Sequence, residues 1–180
     1  FVQSFWQISK DSRFRKPLLA ILNQGRELTR DEMDLLLVMA QQEEIRDPTL
    51  THYLASLFLK AEQWSGKVEP LFLSALEDES ELSGEIIQFA LPIYLAHKRT
   101  DELALRFYLF ALNFPVKEEQ TIENYLGHSY CEGNLAGVAP ELHEKCRKVF
   151  ASLGSERQAD LKRHSEENRI ASKLKRVKLF

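Results

Sequence analysis

Similar residues recur along this chain at intervals of 35 or 36 positions. Within each interval the apolar residues follow helical spacing. A repeat of this length is typical of stacked helical units, each of which buries its apolar face only against its neighbours. The period therefore predicts an all-α repeat fold. Four columns of like residues keep it over three units: Leu54, Ala90 and Leu126; Phe58, Tyr94 and Tyr130; Val68, Ala104 and Ala139; and Ala75, Ala111 and Cys146.

Each unit contains two predicted helices, with turn-forming residues such as Gly66 and Gly133 between them. The first helices are expected at about 48–61, 84–98 and 120–132, and the second helices at about 65–77, 101–113 and 138–152. We expect a right-handed α-solenoid of three to four antiparallel helical hairpins plus a C-terminal helix. The predicted organisation is an N-terminal segment (1–14), units at about 15–47, 48–83, 84–119 and 120–152, and a basic C-terminal helix (153–180).

Composition is that of a folded domain without a disulfide framework. A chain of 180 residues buries roughly 70% of its unfolded surface, so its two cysteines are not needed as a covalent staple. No run of 18 apolar residues occurs, which predicts no membrane span. We therefore expect a cytoplasmic protein, and we take the chain to be a piece of a longer one.

Charge is unevenly distributed. The net charge is −3, and residues 155–180 hold eight basic and four acidic residues, which leaves −7 for residues 1–154. That acidic body argues against nucleic-acid binding. Three interpretations of the basic tail remain open: a solvated helix face, a segment that contacts an anionic membrane surface, or a nuclear-import or docking peptide. The second interpretation is the alternative hypothesis for function, in which the full-length protein is membrane-associated and this chain is a membrane-tethered assembly or regulatory domain. The tail residues predicted to make such contacts are Lys173, Lys175, Arg176 and Lys178, the last four of the eight basic residues.

The third unit carries a more specific pattern. Leu126-Gly127-x-x-Tyr130, followed by Gly133, Leu135 and Ala139, resembles the tetratricopeptide repeat. The resemblance covers about 48–150 and, more weakly, 15–47. It implies a non-catalytic scaffold that holds a peptide or a partner helix in a concave groove lined by the first helices. Related repeats of this length bind RNA, and this is a minor alternative.

Groove positions follow from the helix faces that packing does not use. His52, Gln88 and Asn124 form one column, and tetratricopeptide grooves commonly carry an Asn there, where an amide can bond a peptide backbone. Each of these side chains is equally compatible with an ordinary solvent-facing role. The predicted partner-binding residues are His52, Ser56, Lys60, Gln88, Leu95, Asn124, His128 and Cys131.

Two His-x-x-Cys pairs, His128 with Cys131 and His143 with Cys146, have the residue types of a zinc site. The helix faces predict that the pairs point to different places, with His143 packed in the core. No metal or other cofactor is expected. Cys131 and His128 also have the residue types of a nucleophile and base, but an open helix face offers no oxyanion hole. We therefore expect no enzyme activity.

Overall fold

The computed structural model is helical throughout its regular structure. It describes Thr29, residues 48–60, Glu62, Trp64 and residues 66–177, apart from the side chains at 48–50 and 172–177. The helices in this part are α1 (Pro48–Lys60), α2 (Glu69–Glu77), α3 (Ser83–Ala96), α4 (Glu102–Ala111), α5 (Glu119–Glu132), α6 (Pro140–Ser152) and α7 (Ser155–Val177). No strand occurs among these residues, and the all-α prediction is confirmed. The predicted N-terminal segment (1–14) and, apart from Thr29, the predicted unit 15–47 lie outside them.

Helix boundaries follow local chemistry. Asp101 begins α4 by accepting a hydrogen bond from the Ala104 N–H at 3.3 Å, and it also accepts two from the Arg99 guanidinium at 2.7 and 2.9 Å. Pro140 begins α6, a position at which the missing N–H of proline costs nothing. Pro92 lies inside α3, which continues through it to Ala96.

The first helix of each pair is followed by a residue in the left-handed backbone region. These residues are Glu62 (φ 49°), Lys98 (φ 49°) and Gly133 (φ 71°), which are themselves 36 and 35 positions apart. At Lys98 the backbone N–H donates to the Leu95 carbonyl, and the next N–H donates to the Tyr94 carbonyl, a pairing typical of a helix C-terminus. The period of the sequence therefore reappears in the backbone dihedral angles.

Two compact units divide the chain, residues 1–90 and 91–180. In the first, α1 packs against α2. Phe72 and Phe89 meet edge to face with their ring centroids 6.2 Å apart, and Trp64 lies within 6.2 Å of both. A hydrogen bond of 2.7 Å joins His52 Nδ1 to Ser80 Oγ, which ties α1 to the turn after α2.

In the second unit α5 is the central helix, because it packs against α4, α6 and α7. Tyr108 of α4 stacks on Tyr125 of α5 with ring centroids 5.6 Å apart. Gly127 lets α7 come close, since a Cβ built there would lie 2.7 Å from Leu161 Cδ1. Arg157 of α7 donates hydrogen bonds of 2.8 Å to both Glu123 and Asn124.

The four sequence columns are buried, with one exception. Leu54, Ala90 and Leu126 have no exposed surface, and the two small-residue columns are at most 8% exposed. In the aromatic column Phe58 and Tyr94 are buried, whereas Tyr130 is half-buried. The ring of Tyr130 borders a cavity, described below.

Candidate functional site

The predicted polar column is partly exposed in each unit. Gln88 is exposed on α3, whereas His52 on α1 is half-buried and forms a hydrogen bond with Ser80. Asn124 on α5 is exposed, and its side-chain oxygen accepts the hydrogen bond from Arg157. These three side chains therefore lie outside the buried columns, and two of them already bond to neighbouring segments.

The other predicted groove residues differ in exposure. Ser56 and Leu95 are half-buried, and Lys60 is exposed. His128 is half-buried, with its Nε2 3.1 Å from Glu132 Oε1 one turn along α5. In the basic tail, α7 contains Lys173, Lys175 and Arg176, whose side chains lie outside the described part, as does the whole of Lys178.

The side chains of the two His-x-x-Cys pairs do not all point to different places. His128 faces Glu132, and Cys146 is fully buried in the core. Cys131 and His143, however, line the same cavity, so the expectation that the pairs point to different places is wrong for these two residues. Among the described residues, no group of three or more His, Cys, Asp or Glu side chains is placed to hold a metal ion.

This cavity has a volume of about 330 Å³ and lies within the second unit. Its walls come from the end of α5, the turn that follows, His143 of α6 and one face of α7. The α7 residues recur at i, i+3, i+4 and i+7, the spacing of a single helix face. The lining residues are Tyr130, Cys131, Gly133, Ala136, His143, Lys162, Ser165, Glu166 and Arg169.

Two of the lining residues have a buried polar atom without a hydrogen-bond partner among the described residues. These atoms are Ser165 Oγ and His143 Nδ1. Ser165 is only 2% exposed, and an unpaired buried polar group costs about 1–3 kcal/mol. Such groups are usually satisfied by a neighbour, a water or a ligand.

Electrostatics and aromatic rings complete the site. Burial raises the pKa of the Cys131 thiol, and the Lys162 ammonium opposes that rise. The same ammonium lies 5.6 Å from the centroid of the Phe150 ring, in cation–π geometry. Tyr130 packs between His143 and Phe150, with both ring-centroid distances 5.1 Å. The Lys162 ammonium is therefore held at the cavity wall by an aromatic ring and not by a carboxylate of the described residues.

Comparison with known proteins identifies no relative: no family model matches, and neither a curated protein nor a solved structure does. In the part of the chain that the structure describes, no helix has the length and apolar character needed to cross a bilayer.

Of the residues that line the cavity, only Cys131 is predicted from the sequence as a partner-binding residue. The sequence predicts His143 in the core, and Lys162 and Arg169 as part of a charged tail. The spacing of Lys162, Ser165, Glu166 and Arg169 places them on one face of α7. This spacing indicates a shared site only when the packing of α7 on α5 is also known. That packing depends on Gly127 and Leu161, which lie 34 positions apart in the chain.

Proposed function

We propose that this chain is a non-catalytic protein-interaction domain that binds a peptide or a partner helix through the exposed positions of α1, α3 and α5. One observation carries the proposal. The repeated apolar columns are buried, whereas the column of His52, Gln88 and Asn124 remains polar and partly or fully exposed. Amide side chains at regular intervals are suited to bonding the backbone of an extended peptide.

We also infer that the helical hairpins stack as a right-handed solenoid. Three features support this arrangement: the 35–36-residue period, its recurrence in the left-handed residues Glu62, Lys98 and Gly133, and the packing of the second unit. In the second unit α5 contacts α4 from the preceding pair, α6 from its own pair, and α7, which follows that pair. Such neighbour-to-neighbour contact is characteristic of solenoid repeats.

Affinity capture from a lysate of the source organism tests the proposed function. The wild-type chain would be compared with the double variant Gln88→Ala/Asn124→Ala, in which Arg157 keeps its bond to Glu123. Asn113→Ala/Asn168→Ala is the matched control, because it removes two exposed amides from other positions. Each lost amide bond is worth about 1 kcal/mol, so we expect affinity for the partner to fall at least severalfold per amide.

The control variant should retain the partner as the wild-type chain does. Equal retention by the wild-type chain and the Gln88→Ala/Asn124→Ala variant would show that the polar column is not the binding surface. Circular dichroism of all three proteins checks that their helix content is the same.

A further inference from the structure

The cavity bounded by α5, α6 and α7 has features that groove binding does not use. We propose that it binds an oxyanion, the phosphate or carboxylate group of a small ligand. The proposal goes beyond the interaction function above, because it rests on the cavity and not on the polar column. The argument has three parts: two cations, two buried polar atoms without partners among the described residues, and the volume of an open cavity.

Charge is the first part of the argument. Lys162 and Arg169 both line the cavity, and neither forms an ion pair with any carboxylate that the structure describes. Two other basic residues of α7 do form ion pairs: Arg157 pairs with Glu123, and Arg163 pairs with Asp160. With Glu166 counted, the lining keeps one net positive charge when His143 is neutral. Guanidinium and ammonium groups are the side chains that proteins use to bind phosphate and carboxylate.

Hydrogen bonding is the second part. Ser165 Oγ can donate to an anion, and His143 Nδ1 can donate in the tautomer that carries a proton there. Both atoms are buried and without a protein partner among the described residues, and both residues line the cavity. A bound oxyanion would accept hydrogen bonds from these two groups while its charge is balanced by the two cations.

Size and surroundings are the third part. A volume of about 330 Å³ is at the lower end of the range of roughly 300–1,000 Å³ for ligand pockets, so there is room for an anion and the group that carries it. The lining also includes the Tyr130 ring and Ala136, which give the wall an apolar part. An apolar wall beside charged side chains suits a ligand whose anionic group is attached to an apolar body.

Cys131 supplies a direct reporter of occupancy, because its thiol lines the cavity. The rate of its alkylation by iodoacetamide, a neutral reagent, would be measured by mass spectrometry. Sodium phosphate and sodium acetate would be the two probes, each compared with sodium chloride at the same ionic strength and pH. Cys146 is fully buried and serves as the internal control. We expect at least one oxyanion to slow Cys131 alkylation saturably and severalfold, which identifies it as the group that the cavity accepts.

Variants separate the site from general salt effects. Lys162→Gln/Arg169→Gln should abolish the protection, whereas Arg163→Gln, on the same helix but paired with Asp160, should keep it. Ser165→Ala should weaken the protection while leaving the melting temperature unchanged or raising it, because it removes a buried hydroxyl that has no partner among the described residues.

Two results would overturn the proposal: no saturable protection by either oxyanion, or protection that persists unchanged in Lys162→Gln/Arg169→Gln. The groove variant Gln88→Ala/Asn124→Ala should keep the protection in full. The oxyanion site and the groove can therefore fail independently of each other.

Discussion

At the scale of single residues, the two cysteines differ in how far the sequence predicts their surroundings. Cys146 occupies a small-residue column with Ala75 and Ala111, and all three are buried as that column predicts. Burial raises the pKa of the Cys146 thiol to about 11. Cys131 lies in no such column, and its position at a cavity depended on where α7 packs. The sequence thus predicts a buried residue more readily than it predicts a residue at a site.

Alkaline pH should destabilise the fold through Cys146. Its folded-state pKa of about 11 lies above the value of about 9 for an unburied thiol. The buried neutral thiol therefore adds stability below about pH 9, and this stability is lost as the pH rises through 11. This rise in the pKa corresponds to a free energy of unfolding of about 3 kcal/mol at most. Urea denaturation of the wild-type chain and Cys146→Ala at pH 8 and pH 10.5 measures the difference.

The wild-type chain should lose more stability than Cys146→Ala over this pH interval. Burial also raises the pKa of Tyr108, and that contribution is common to both proteins. The difference between the two pH dependences therefore reports Cys146 alone. Equal losses would contradict a raised pKa at this thiol.

Gly127 should not tolerate a β-branched residue. A Cβ at this position lies 2.7 Å from Leu161 Cδ1, 3.4 Å from Phe150 Cδ2 and 3.5 Å from Leu153 Cδ1. We expect Gly127→Val to lower the free energy of unfolding by about 1–3 kcal/mol through overpacking between α5, α6 and α7. Gly84→Val is the control, since no atom lies within 4 Å of a Cβ built there. Urea denaturation checks both, and an equal effect of the two substitutions would contradict the close approach of α7.

At the scale of helices, the predicted segments match the structure within a few residues. The second helix of the first unit is the least accurate, because it was expected from residue 65 and begins at Glu69, one residue before Pro70. The C-terminal helix is predicted at 153–180, and the structure describes it from Ser155 to Val177. Its contact with α5 was not predicted, because periodicity within one helix does not specify which neighbour its apolar face meets.

The end of α3 should become more stable with glycine at position 98. Lys98 has φ 49°, a left-handed conformation that costs a side chain about 1 kcal/mol and costs glycine little. We expect Lys98→Gly to raise the free energy of unfolding by about 0.5–1 kcal/mol. Lys117→Gly is the control, because Lys117 is exposed and has no positive φ. Thermal denaturation compares them, and a gain at both positions, or at neither, would count against strain at Lys98.

Arg157 should determine how firmly α7 is held to α5. Its guanidinium bonds Glu123, Asn124 and the Gln120 carbonyl, and a planar fork makes such multiple contacts where an ammonium does not. We expect Arg157→Ala and Arg157→Lys to speed amide hydrogen exchange in the first turns of α7, with a loss of about 1 kcal/mol. Arg163→Ala, which breaks only a pair within α7, should leave that exchange nearly unchanged. Identical exchange in all variants would show that the apolar contacts of Leu161 hold α7 by themselves.

At the scale of the whole molecule, the 35–36-residue period was the most informative part of the sequence. It predicted the all-α class, the order of the helices and most of the buried positions, because each column must pack in every unit. Among the residues that line the cavity of the second unit, only Tyr130 belongs to a column, since the cavity forms where the last pair of helices meets α7. The period reports which residues pack, and it does not report what binds to the column of His52, Gln88 and Asn124. Binding in the groove is therefore a proposal.

The most direct test of the account is hydrogen–deuterium exchange of this chain with and without its captured partner. The account predicts that the partner slows exchange in α1, α3 and α5, the helices that carry His52, Gln88 and Asn124. The second helices α2, α4 and α6 should exchange as they do in the free chain. Slower exchange confined to α2, α4 and α6 would place the partner on the opposite helices and contradict the proposed function.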